Sequence, residues 1–232
     1  MKNEIIKVFI GYDPVESVAW HTMVSSIYRQ SSRPVAIIPV NLKNLAGIYT
    51  RSRDPKQSNE FSFSRFLVPY LCNYEGKAVF FDCDQMLRTD ISSIFDVMQS
   101  QPNKAVYVVK HTYEPRNDVK YLNTVQYKYP RKNWSSVVLW NCEHIKNRIV
   151  DPEFVNTSDA LALHRFTWLD DSEIGELDIR WNWLVGEYDD PPADVKNVHW
   201  TVGGPYFNDY KNADFSIEWF DELKNINFCK QI

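Results

Sequence analysis

The first regular signal along the chain is Lys7-Val8-Phe9-Ile10-Gly11, a short apolar run closed by glycine, which predicts a buried strand. From Val15 to Arg29 the pattern changes. Apolar residues fall at Val18, Met23, Val24 and Ile27, the spacing of a helix packed on one side, with Pro14 tolerated in its first turn. Val35 to Val40 predicts a second strand, its Pro39 suiting an edge or a strand end. Strand, helix and strand in this order open a mostly parallel sheet. Residues 41–60 are polar and predict a loop. Phe63, Phe66, Leu67 and Tyr70 then return at helical spacing, predicting a helix over Phe61 to Leu71. Ala78 to Phe81 is continuously apolar and enters Asp82-Cys83-Asp84, as a buried strand does where its end meets solvent.

Further on, the pattern predicts a short helix over Ile91 to Gln99 and strands over Ala105 to Val109 and Trp134 to Trp140. Another helix, capped by Thr157 or Ser158, runs through Leu161, Leu163 and Phe166. Past Gly186, the turn signals Pro191-Pro192 and Gly203-Gly204-Pro205 predict an irregular C-terminal part. A length of 232 residues without internal repeats suits one α/β domain spanning residues 1–232, loop-rich from about residue 187.

Composition narrows the classes. Twenty-six basic against thirty acidic residues give a net charge of -4, and no long Lys/Arg block exists, so nucleic acid is not an expected partner. No apolar run approaches the roughly 18 residues of a membrane span. Nor does the sequence show a basic amphipathic tail that would give a stable membrane anchor. Cys72, Cys83, Cys142 and Cys229 show no Cys-x-x-Cys pair, and the N-terminus lacks a secretory apolar region, so a cytoplasmic protein with reduced thiols is expected. An aromatic share of 15%, with eight tryptophans, points to core packing and also to faces on which sugars and bases stack. Trp140, Trp181 and Trp183 read first as core.

The candidate chemistry centres on Phe80-Phe81-Asp82-Cys83-Asp84-Gln85. Open α/β sheets bind ligands at such strand ends. Side chains at i and i+2 of extended chain point to one side, so both carboxylates can converge on one hard cation, Mg²⁺ or Mn²⁺ in preference to zinc. Capping and solvation are the plain structural alternative. Cys83 lies among these cofactor-binding positions, yet a thiol suits neither ion and reads as a packed small side chain.

The segments Ser64-Arg65-Phe66-Leu67-Val68-Pro69-Tyr70-Leu71 and Lys77-Ala78-Val79-Phe80-Phe81-Asp82-Cys83-Asp84-Gln85-Met86-Leu87-Arg88-Thr89-Asp90-Ile91 resemble the core of metal-dependent retaining glycosyltransferases with the GT-A fold. That family includes glycogenin and the lipopolysaccharide galactosyl- and glucosyltransferases. The shared pattern is a helical Arg, a Pro four residues on, a strand, Asp-x-Asp, and a further Asp six residues later. Phe9-Ile10-Gly11-Tyr12-Asp13 resembles the family's first strand and base-binding loop. His199-Trp200-Thr201-Val202-Gly203-Gly204-Pro205 resembles its last motif.

The resemblance implies a GT-A-like fold and transfer of a hexose from a nucleotide sugar, with UDP-glucose or UDP-galactose expected, and with anomeric configuration retained. Asp82, Asp84 and His199 would hold the metal, the imidazole tilting the choice from Mg²⁺ to Mn²⁺. Gly203 and Gly204 would let backbone N–H groups approach the diphosphate. Tyr12 could stack on the base and Asp13 accept its N–H. Arg65 would contact phosphate or fix one of the metal-strand acids. The loop from Ala46 to Asn59 would be a lid. The acceptor stays open between a glycan, lipopolysaccharide and a protein side chain.

Two departures stand out. The family's lysine after the last glycine is replaced by Pro205-Tyr206-Phe207, with no lysine before Lys211, so either another base such as Arg65 supplies that charge or phosphate binding is weaker. The family's acidic stretch lining the sugar has no clean counterpart; Asp170 and Asp171 in Trp168-Leu169-Asp170-Asp171 are the nearest catalytic candidates, with helix capping as their alternative. Two other classes compete: a nucleotide-sugar or glycan-binding protein without turnover, and a glycoside hydrolase. A hydrolase places its two acids about 5–10 Å apart across a sugar, farther than Asp82 and Asp84 can reach.

Overall fold

The computed structural model describes residues 4–54, 57–126 and 128–227. In chain order its elements are β1 (Ile6–Gly11), α1 (Ser17–Gln30), β2 (Val35–Val40), α2 (Val68–Leu71), β3 (Lys77–Phe81), β4 (Gln85–Leu87), α3 (Val97–Ser100), β5 (Val106–Val108), β6 (Val119–Lys120), β7 (Thr124–Val125), β8 (Val137–Asn141), α4 (Pro152–Thr157), α5 (Ala160–His164), β9 (Ile174–Glu176), β10 (Trp183–Leu184), β11 (Asn197–His199) and α6 (Ser216–Asn227), joined by short 3-10 turns and loops.

The central sheet has six strands in the order β2-β1-β3-β8-β5-β9. Only β8 opposes its neighbours β3 and β5; the pairs β1–β2, β1–β3 and β5–β9 are parallel. The mostly parallel α/β fold expected from the opening strand-helix-strand pattern is thus present. Strands β1 and β3 lie inside the sheet and are covered on both faces, which is why they are continuous apolar runs rather than alternating ones. Gly11 ends β1 because a Cβ there would fall 2.2 Å from the Phe61 ring. A second sheet, β10-β11-β4, packs its own cluster of Met86, Trp183, Val198, Trp200 and Trp219 beside the main core.

Several elements differ from the pattern-based reading. The helix over 61–71 is a 3-10 turn, Ser64–Leu67, followed by α2, and the helix over 91–99 is likewise a 3-10 turn, Ile91–Asp96, followed by α3. Trp134–Ser136 is also a 3-10 turn, so the strand starts only at Val137. Helix α5 is capped by Asp159, not by Thr157 or Ser158: its carboxylate accepts the Leu161 N–H at 2.8 Å.

The C-terminal part is less irregular than its prolines and glycines suggest. Helix α6 buries Trp219, and its buried Glu222 takes Ser25 Oγ at 2.6 Å and the Arg29 guanidinium at 2.6 Å from α1. Trp140, Trp181 and Trp183 are buried, as expected of core residues. Cys72, Cys83 and Cys142 are buried free thiols; Cys229 lies outside the described residues. Among the described residues no helix is long and apolar enough to cross a membrane.

Candidate functional site

Strand β3 leaves the large sheet at Phe81 and β4 enters the small one at Gln85, so Asp82-Cys83-Asp84 is the link between the two sheets. The register does the rest. Strand β4 pairs antiparallel with β11, His199 opposite Gln85, and the Trp200 N–H donates to the Asp84 carbonyl at 3.0 Å. An imidazole far along the chain is thereby set beside the two acids. One ligand atom from each of Asp82, Asp84 and His199 lies within 4.8 Å of the others.

Two of the three are oriented by a buried partner. Arg65 Nη1 donates to Asp82 Oδ1 at 2.6 Å and to the Ser135 carbonyl at 3.0 Å. Asn182 Nδ2 donates to Ser136 Oγ at 2.8 Å and the Asn133 carbonyl at 3.2 Å, so its Oδ1 faces His199 Nδ1 at 2.8 Å. His199 must therefore carry its proton on Nδ1, leaving Nε2 to face Asp84.

Nε2 stands 3.3 Å from Asp84 Oδ1, an electrostatic contact rather than an aligned hydrogen bond, for that buried oxygen has no hydrogen-bond partner among the described residues. A neutral imidazole lone pair against a carboxylate oxygen is unfavourable unless a proton or a cation sits between them. Metal–ligand distances of about 2.1 Å place neighbouring ligands roughly 3 Å apart and opposite ones about 4 Å apart. The oxygen-rich donor set, its spacing and the orphaned Asp84 oxygen all fit a hard divalent cation.

Burial shapes the charges around the trio. It pushes Asp82 up to about 6, outweighing the Arg65 guanidinium, with the Asp84 charge adding to the rise. Asp84 is also raised by burial, but the facing His199 imidazole and Lys120 more than offset this and hold it below its usual range. Lys120 is drawn down by burial and back up by Asp84, Asp82 and Glu16. Burial pushes the Cys83 thiol well up, in keeping with a packed side chain.

A cleft of about 430 Å³ opens over the trio, lined among others by Arg65, Lys120, Tyr121, Lys132, His164 and Thr201. Its half-buried His164 is held neutral, at about 3, by desolvation, with Nδ1 2.8 Å from Ser135 Oγ. The expected lid loop borders this cleft through Asp54, Gln57, Ser58 and Asn59, while Asn156 Oδ1 accepts the Thr50 and Arg51 N–H groups at 2.9 and 3.2 Å. Residues 55 and 56 of that loop lie outside the described residues.

Other sequence candidates are placed differently. The Asp13 carboxylate accepts the Val15 N–H at 2.9 Å and the Glu60 N–H at 3.0 Å, capping the turn that leads into α1. Tyr12 meets the Trp20 ring edge-on at 6.0 Å. Gly203 and Gly204 are overlaid by tyrosine rings: a Cβ would meet Tyr210 at 2.5 Å and Tyr206 at 2.1 Å. Asp170 and Asp171 are not brought to the cleft. The Asp170 N–H donates to Glu173 Oε2 at 2.9 Å on an exposed turn, and the Asp171 carboxylate pairs with Arg131. Asp90 accepts from Ser32 and Ser92 and starts the Ile91–Asp96 turn.

Glu16, unremarked in the sequence, is buried next to the trio. Its carboxylate accepts the Tyr206 hydroxyl at 2.5 Å and the Tyr121 hydroxyl at 2.9 Å. Burial, and then the Asp84 charge, push it up to about 8. A carboxyl raised in the folded state holds a proton that the unfolded chain has released, so stability falls as pH rises from the ordinary value toward 8. His111 and His164, both near 3 when folded, are half protonated in the unfolded chain at pH 6.5, so they offset part of this loss until about pH 7.5. Between pH 6.5 and 8 the wild type is expected to lose up to about 2 kcal/mol, or roughly 4–8 °C of melting temperature, relative to Glu16→Gln, in which the histidine effect is the same. Melting curves with metal chelated check it; equal slopes would assign the loss elsewhere.

No family model matches the chain. Protein CDI of Arabidopsis thaliana is 43% identical over 227 residues, covering 95% of this chain and 87% of that protein. The chain belongs to the Protein CDI family. Among solved structures, this CDI-family chain superposes on the bifunctional glycosyltransferase WbbM with a TM-score of 0.64 at 13% identity, covering 95% of this chain and 50% of that one. Against the glycosyltransferase GlyE of Streptococcus pneumoniae TIGR4 the TM-score is 0.62 at 12% identity, covering 95% and 60%. Against the galactosyltransferase LgtC with donor and acceptor sugar analogues it is 0.61 at 10% identity, covering 97% and 98%. The chain thus spans only half to three-fifths of the first two structures but nearly all of the third. At these identities the likeness establishes the fold, which is of the GT-A glycosyltransferase type.

Proposed function

We propose that this chain is a single-domain, metal-dependent glycosyltransferase that moves a hexose from a nucleotide sugar, UDP-glucose or UDP-galactose, to an acceptor hydroxyl of a glycan, lipopolysaccharide or protein, in the cytoplasm and with retention of configuration. The observation that carries this reading is the meeting of Asp82, Asp84 and the Nε2 face of His199 at the floor of a cleft. In the transfer, the bond from the anomeric carbon to the β-phosphate oxygen breaks, a bond to the acceptor oxygen forms, and the hydroxyl proton is released. A divalent ion, Mn²⁺ or Mg²⁺, held by these three residues would offset the charge of the departing diphosphate.

The chain's own part is to hold that geometry. Arg65 fixes Asp82, Asn182 fixes the His199 tautomer, and the β4–β11 register fixes their separation. The test is release of UDP from UDP-glucose or UDP-galactose with Mn²⁺, with and without chelator, against a panel of glycan acceptors. Metal-dependent release above the no-enzyme rate is expected. No release and no metal-dependent binding with UDP-, GDP- and CDP-sugars alike would overturn the reading.

One observation favours the second reading, binding without turnover. The acidic pair expected near the sugar, Asp170 and Asp171, lies outside the cleft lining. Donor-dependent stabilisation by UDP-sugar and Mn²⁺ without turnover across all acceptors would select it.

A further inference from the structure

A diphosphate leaving group needs cationic side chains beyond a bound metal ion, and the last glycine loop here carries none. Its Tyr206 is turned inward to Glu16 at 2.5 Å, and its Phe207 stacks on the Tyr121 ring with centroids 4.7 Å apart and planes at 17°. Arg65, the base expected to substitute, is buried and committed to Asp82 and the Ser135 carbonyl. The charge must come from another element.

The loop that lacks a lysine docks a segment that has one. Tyr121 is anchored three ways: its N–H donates to the Val202 carbonyl at 2.8 Å, its hydroxyl donates to Glu16 Oε2 at 2.9 Å, and its ring lies on Phe207. The preceding residue, Lys120, closes the small hairpin of β6 and β7 opposite Thr124. It lines the same cleft as Asp82, Asp84 and His199. Other cleft lysines are less suited. Lys128 pairs with Glu114 at 2.9 Å, and the Lys132 ammonium lies over the Tyr129 ring at 5.2 Å.

The geometry points to Lys120 as the phosphate-binding cation of this cleft, set in place by the anchored Tyr121 and recognising a nucleoside diphosphate. This rests on the nucleotide-sugar reading above. An ammonium on a short hairpin acts as a point charge toward phosphate oxygens and needs no planar match to them. The three anchors of Tyr121 join the hairpin to the start of α1 and to the loop after β11, so the lysine is held in the cleft that the metal-binding acids also line. Tyr121 is a positioning residue.

Calorimetric titration of UDP, UMP and uridine in Mn²⁺ tests this with wild type, Lys120→Met and Lys120→Arg. Lys120→Met is expected to weaken UDP about 10- to 100-fold and UMP no more than about threefold, with uridine unchanged, and Lys120→Arg is expected to recover most of the loss. Tyr121→Phe, which removes only the hydroxyl donated to Glu16, is expected to weaken UDP several-fold and leave uridine alone. Lys120→Gln carries the same test if Lys120→Met does not fold, as judged by its melting curve. Equal loss for UDP and uridine, or UDP binding within threefold of wild type, overturns the role of Lys120 while the nucleotide-sugar reading stands. A wild type that binds no UDP in Mn²⁺ overturns both.

Discussion

Asp84→Asn is expected to lower metal-dependent UDP release by about 10³-fold or more while costing the metal-free protein only a few degrees of melting temperature. The two effects have one origin. The Asp84 charge raises the cost of ionising Asp82, while His199 and Lys120 hold Asp84 itself in its charged form. Without a cation, neutralising Asp84 relieves its repulsion of Asp82 and Glu16 but forfeits its attraction to His199 and Lys120, so the net change is small and unfavourable. With a cation, the same change removes one of three ligands and the charge that holds it. The buried Asp84 Oδ1, without a hydrogen-bond partner among the described residues, is the atom whose charge matters most. Melting curves with Mn²⁺ and with chelator separate the two: Mn²⁺ should raise the melting temperature of wild type and leave Asp84→Asn unmoved. Retained activity within tenfold of wild type, or an equal Mn²⁺ shift, would sink the metal-site reading.

How much of this was legible in the sequence depends on which residues are asked about. Asp82 and Asp84 announce themselves because a continuous apolar run ends on them, and burial on both faces of β3 is what makes the run continuous. Arg65 was legible as a type but not as a choice: either phosphate or an acid could have taken it, and the structure gives it to Asp82. His199 could be joined to the acids only through family resemblance, since the β4–β11 register is a long-range pairing that no local pattern encodes. Lys120 was not legible at all. The stretch around it is polar, without helical or strand period, and its two-residue strands are defined by pairing with each other and by docking onto Val202 and Phe207. Asp170 and Asp171 show the opposite failure. They were only the nearest acidic cluster to a stretch with no clean counterpart, and their local chemistry, a tight turn before β9 and an ion pair with Arg131, keeps them on the surface. Helix α6 was hidden because turn-forming residues before it dominated the reading, although Trp219, Phe220 and Leu223 already marked its packed side.

The second large effect is expected at Arg65, and it should appear in stability before activity is considered. Arg65→Met leaves Asp82 in a buried position without its closest counter-charge, a change that costs about 3–5 kcal/mol, or roughly 6–20 °C of melting temperature in a chain of this size. The cost is charge-specific, so it carries a pH signature. Asp82 already sits near 6 with the guanidinium present, because burial outweighs the pairing. Without Arg65 it rises further, and a protonated Asp82 no longer needs a cation, so the loss should be larger at pH 8 than at pH 5. The double variant Arg65→Met with Asp82→Asn removes both charges and should regain most of the stability without regaining metal-dependent turnover. Arg65→Lys should fall between, because the ammonium keeps the charge but sits on a shorter, flexible stem and cannot take the place of the Nη1 that serves both Asp82 and the Ser135 carbonyl. A double-mutant cycle on melting free energies measures the coupling directly. If Arg65→Met melts within about 2 °C of wild type at both pH values, the stated cost is absent and Asp82 is held by something other than this ion pair.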